Sequence, residues 1–102
     1  MIKYNKLVRD RIPEIIEENG KECTFHVATE EEYNTKLREK LCEEAIEFLE
    51  DPCLEELVDV LEVIDAILKN EEYREFRGSQ VAKRITNGGF EKCIILDGVK
   101  NS

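Results

Sequence analysis

The stretch from Leu41 to Asp65, LCEEAIEFLEDPCLEELVDVLEVID, holds ten carboxylates and no Lys or Arg. Its apolar residues recur at helical spacing on both sides of Asp51-Pro52, which predicts two amphipathic helices joined by a short connection. Helices joined so tightly are antiparallel neighbours. Like charges on neighbouring turns repel. The stretch therefore demands an arrangement in which some acids are solvated and the others have counter-charges.

The rest of the chain fits one helical domain covering residues 1–102. Pro13 suits the first turn of a short helix that Gly20 stops. Thr29 followed by Glu32 is the capping-box spacing and opens a helix running to Asp51-Pro52. The second long helix covers about 54–69, and a third helical stretch, about 71–86, ends at Asn87-Gly88-Gly89. Residues 22–27 and the Ile94-Ile95 run read as short extended pieces, which could form a two-stranded β ribbon or leave an extended C-terminal arm. The fold class is thus all-α, an antiparallel helical bundle. No segment resembles a signal peptide or a membrane span.

Drawing the helices at 100° per residue sorts the acids. Leu37, Leu41, Ala45, Phe48 and Leu49 make the apolar stripe of the first long helix. Glu39, Glu43 and Glu50 lie away from it, Glu44 lies at its edge, and Glu47 follows Glu44 by three residues. The second long helix has one apolar face of Leu54, Leu57, Val58, Leu61, Ile64 and Leu68. A second face, Val60, Val63 and Ile67, lies nearly opposite, the pattern of a central, buried helix. Glu56 falls among the second set, and Asp65 intrudes on the first, where a salt bridge at a subunit interface would account for it.

A buried unpaired carboxylate is costly and must be protonated, paired or bound to a cation. Glu44 with Glu47 and Glu56 with Asp59 are two i,i+3 pairs on adjacent helices. Four oxygen donors without His or Cys favour a hard cation, Mg²⁺ or Mn²⁺.

Charge is uneven: residues 41–72 carry twelve acids and one base within a formal net charge of −9. An acidic middle argues against nucleic-acid binding. The four cysteines include no CxxC pair, so they read as reduced, mostly buried and cytosolic. His26 stands alone, which removes ExxH di-iron pairs, and neither an EF-hand loop nor a P-loop is present.

The acids spell ExxE…ExxD, from Glu44-Ala45-Ile46-Glu47 to Glu56-Leu57-Val58-Asp59. This resembles the all-α nucleoside triphosphate pyrophosphatase superfamily, the MazG-like and phosphoribosyl-ATP pyrophosphatase-like proteins. YNKLVRDRIPEII (4–16) and NGGFEKCIIL (87–96) resemble the opening and ending of a small MazG-like subfamily. The resemblance implies a cytoplasmic Mg²⁺-dependent hydrolase, a homodimer or tetramer, that cleaves a nucleoside triphosphate to a monophosphate and pyrophosphate. It places the metal on Glu44, Glu47, Glu56 and Asp59, with Glu44 or Glu47 as general base. Lys40, Lys6, Arg9 and Arg84 become the expected phosphate-binding bases. A non-catalytic nucleotide- or protein-binding module of the same fold, or an acidic oligomerisation subunit, would use the same helices without turnover.

Overall fold

The computed structural model describes residues 3–101. Four α-helices follow one another: α1 (Ile12–Glu18), α2 (Glu30–Glu50), α3 (Leu54–Leu68) and α4 (Phe76–Asn87). No helix among the described residues is long and apolar enough to cross a membrane.

Local chemistry explains the helix boundaries. Pro13 occupies the first turn of α1, where its missing N–H costs nothing. Past its end, Gly20 takes a φ of 80°, a left-handed conformation other residues resist. The Thr29 hydroxyl accepts the Glu32 amide at 3.2 Å, while Glu30, Glu31 and Glu32 face the positive end of α2. Thr29→Ala should therefore cost about 1 kcal/mol, read as a lower midpoint in a thermal melt followed by circular dichroism. Asp51-Pro52-Cys53 turns the chain into α3, and α2 and α3 pack against each other as the one extensive helix–helix contact.

The expected single helix over 71–86 is divided. The Asn70 side chain accepts the Glu72 amide at 3.0 Å and starts a short 3₁₀ turn, Glu71–Tyr73. Only at Phe76 does α4 begin. Asn competes with the helix by capping locally, and that competition explains the interruption.

The β ribbon does not form: there is no strand among the described residues. Residues 90–101 are an exposed arm without regular structure. Cys93 sits at φ 57°, which breaks the extended run just before Ile94-Ile95.

The core is small and lies along the α2–α3 seam. Leu37 on α2 is 4% exposed and Val63 on α3 is 8% exposed. Leu41 and Phe48 are half-buried, but Ala45 and Leu49 point to solvent. The buried line on α2 is thus rotated from the expected stripe, and Glu44 lies on it, not at its edge.

The reading of α3 as a helix buried all round is also corrected. Its Val60, Val63 and Ile67 face is the covered one. Leu54, Leu57, Val58 and Leu61 are exposed, because no helix among the described residues covers them. Asp65 is exposed as well. None of the four free cysteines is buried, contrary to expectation.

Candidate metal centre

Packing α3 against α2 brings Glu44 opposite Glu56 and Asp59. One carboxylate oxygen from each of the three lies within 4.8 Å of the others. Glu56 and Asp59 meet because residues three apart share a helix face. Glu44 joins them across the seam.

Glu44 is the unusual member. It is 7% exposed, and its Oε1 meets Lys40 Nζ at 3.2 Å. Its Oε2 is buried without a hydrogen-bond partner, as is the Oε2 of Glu56. Burial pushes the Glu44 carboxyl above its ordinary value, against the pull of Lys40, and neighbouring Glu47 adds to the rise. An unpartnered buried carboxylate oxygen beside two further carboxylates is an arrangement that a cation would satisfy. The donors are hard oxygens, which fit Mg²⁺ or Mn²⁺. Glu47 is exposed and lies outside the three-oxygen cluster.

A second group, Asp51, Cys53 and Glu56, also brings three donor atoms together and shares Glu56 with the first. The Glu56 backbone lowers the Cys53 thiol pKa. Desolvation and the carboxylates of Asp51 and Glu55 outweigh it and leave the thiol above its usual value. The first group offers hard oxygen donors alone and includes the buried Glu44, so it is the better match to a hard cation.

Bases reach the acids from the N-terminal segment. Arg9 Nη2 donates to Asp59 Oδ1 at 2.7 Å, and Arg9 Nη1 stands 3.8 Å from Glu62. Lys6 Nζ donates to Glu43 Oε1 at 3.0 Å, and Lys36 Nζ donates to the Asn5 carbonyl at 2.9 Å. Lys40 is also 3.5 Å from Glu43. Residues 5–9 are thereby strapped across the acidic hairpin. Arg84 instead pairs with Glu91 and does not line the groove described below. His26 is exposed and faces Glu32 at 2.9 Å.

Glu43, read from the helical wheel as merely solvated, is the anchor of the strap. The helical wheel does not single out Glu62 either. Their only signal is charge: the bases near the start need acids, and periodicity cannot say which.

The Lys6–Glu43 pair gives a pH prediction. Its hydrogen bond to Lys6 lowers the Glu43 pKa below 4.5, and the same bond raises Lys6 above 10.5. The Glu43 contribution is present above pH 4.5 and is lost as pH falls through the lowered folded value. That of Lys6 is complete below pH 10.5 and is lost as pH rises through the raised one. Both groups are partly exposed, so the pair should stabilise the strap by less than about 1 kcal/mol. A ¹³C titration of the Glu43 carboxyl should give a midpoint below 4.5 that rises in Lys6→Ala. A midpoint unmoved by that substitution would remove the strap contact.

A groove of about 560 Å³ borders the cluster. Glu44 and Asp59 line it together with Arg9 and Lys40, and apolar Ile12, Ile15, Leu37 and Val63 supply other walls. The lining thus offers acids for a cation, bases for an anion and apolar surface for a flat group. Comparison with protein-family models, curated proteins and solved structures gives no match, so the site rests on its own geometry.

Proposed function

We propose that the chain is a Mg²⁺-dependent nucleoside triphosphate pyrophosphohydrolase. The observation that carries this reading is the buried Glu44 carboxylate, with one oxygen unpartnered, within reach of Glu56 and Asp59. The groove and the ExxE…ExxD pattern support it. Glu44, Glu56 and Asp59 would hold the cation, with Glu47 available from the solvent side. The bound ion would neutralise phosphate charge and lower the pKa of a water.

The chain's own residues divide the remaining work. Lys40 and Arg9 line the groove and can meet phosphate oxygens, with Lys6 beside them on Glu43. To do so Arg9 must give up part of its hold on Asp59. Glu47, exposed next to Glu44, can accept the proton as water adds to the α-phosphorus. The bond to the β-phosphate bridging oxygen then breaks, and pyrophosphate leaves. Positioning and charge neutralisation account for most of the acceleration in such a reaction.

With Mg²⁺ and a panel of standard and modified nucleoside triphosphates, at least one substrate should yield pyrophosphate and not orthophosphate. Glu56→Gln and Asp59→Asn should each abolish that release while leaving helix content intact. Release that survives both substitutions would sink the metal assignment.

One observation favours a non-catalytic reading of the same site: Glu47 touches Glu44 but is not in the mutual three-oxygen group, so the proton acceptor sits at the edge of the cluster. Calorimetry distinguishes the two. Binding of Mg²⁺ and nucleotide with no product formed would favour a binding module.

A further inference from the structure

Arg9 stands on an acid that a cation would need. Its Nη2 donates to Asp59 Oδ1 at 2.7 Å, and its Nη1 stands 3.8 Å from Glu62 Oε1. Asp59 belongs to the three-oxygen group with Glu44 and Glu56, and Glu62 does not. One guanidinium therefore spans a cation ligand and a carboxylate one turn further along α3. Lys40 occupies Glu44 in a similar way, at 3.2 Å, but it belongs to α2 itself and lies one turn from its partner. Arg9 arrives on a separate segment, which Lys6 holds on Glu43 and the Asn5 carbonyl holds on Lys36. Neither of those contacts uses the three clustered acids, so the segment keeps its place when Arg9 turns.

The magnitudes favour a movable contact. The Arg9 and Asp59 side chains are 52% and 39% exposed, and an ion pair so wet shifts an equilibrium by about fivefold at most. A divalent ion among three carboxylates, one of them buried, is held more firmly. It also repels a guanidinium beside it. Glu62 is 59% exposed, already faces Arg9, and is placed to take the displaced guanidinium.

We propose that Arg9 is a cation-operated switch. Without a cation it holds Asp59, and cation binding turns it onto Glu62 and into the groove, where it meets an anion. The inference rests on the assignment of Glu44, Glu56 and Asp59 to a cation, and adds to it a coupling between that ion and the anion. Arg9 lines the groove beside Lys40, so the freed guanidinium presents its fork to phosphate oxygens. The ligand class that follows is an anion admitted together with a divalent cation and poorly without one. By linkage, the anion must tighten the cation by the same factor.

Calorimetry of the full chain with Mg²⁺ alone, and then with inorganic phosphate, tests the switch without any turnover. Arg9→Ala alters an exposed side chain, so helix content should hold by circular dichroism. This variant should bind Mg²⁺ alone about three- to fivefold more tightly than the unmodified chain. Glu62→Gln leaves Arg9 wholly on Asp59 and should weaken Mg²⁺ binding by about twofold or more. That loss should shrink once Arg9 is already alanine, because the two residues act through one contact. Phosphate should tighten Mg²⁺ by about fivefold in the unmodified chain and by less in Arg9→Ala. Equal or weaker Mg²⁺ binding by Arg9→Ala would overturn the switch and leave the cation site standing, as would strictly additive effects of the two substitutions. Mg²⁺ binding by none of the chains would remove the site and the switch together.

Discussion

Glu44→Gln is expected to stabilise the metal-free protein and to end its response to Mg²⁺. The carboxyl is buried with one oxygen unpartnered, and its raised pKa means that folding disfavours its charged form. The sign follows: a folded pKa above 4.5 means that this group's contribution falls as pH rises through the raised value, and at neutral pH it opposes folding. A neutral amide of the same shape removes that penalty, a gain of about 1 kcal/mol or a rise in Tm of about 4–8 °C. In the unmodified protein, Mg²⁺ at a hundred times its Kd should add about 2.7 kcal/mol, and in the variant that increment should vanish. Pyrophosphate release should fall by about a thousandfold or more, since loss of the cation removes several kcal/mol of charge stabilisation. Calorimetric melts with and without Mg²⁺ separate the effects. A variant that keeps the Mg²⁺ increment would exclude Glu44 as a ligand.

Leu37→Ala should have the opposite character, large and purely structural. Leu37 is the most buried apolar side chain among the described residues, and Val63 is the only other core residue so fully covered. A Leu→Ala change at a covered site costs about 2–5 kcal/mol through lost transfer energy and a residual cavity. With so small a core there is little to absorb that loss. Urea unfolding should show a much lower midpoint. The Mg²⁺ increment should disappear with it, because the seam that holds Leu37 also brings Glu44 to Glu56 and Asp59. A variant as stable as the parent would mean that the α2–α3 seam is not what holds the fold.

Much of the backbone plan is readable from local signals. The Thr29 cap, the Asp51-Pro52 break and the Gly20 stop each act within a few residues, so spacing alone locates them. The phase of burial is harder. The α3 helix has two apolar faces, and its own sequence does not say which one α2 covers. The Ile94-Ile95 run has strand propensity, but a strand needs a partner ladder, and the turn at Cys93 denies it one. At the site, i,i+3 spacing finds Glu56 with Asp59 and singles out Glu44. It also pairs Glu47 with Glu44, which do meet, although Glu47 is not in the mutual three-oxygen group that α3 completes. The strap contacts span 37 and 50 positions, a range over which periodicity carries no information.

That separation has a consequence for the order of assembly. The α2–α3 hairpin closes through a three-residue connection, so its contacts are local and the entropy lost in forming them is small. Lys6 has its acid once α2 exists, whereas Arg9 has none until α3 does. Residues 5–9 are made early, and the carboxylates that hold them come 37 and 50 positions later. Arg9 and any cation therefore compete for Asp59 from the moment α3 packs on α2.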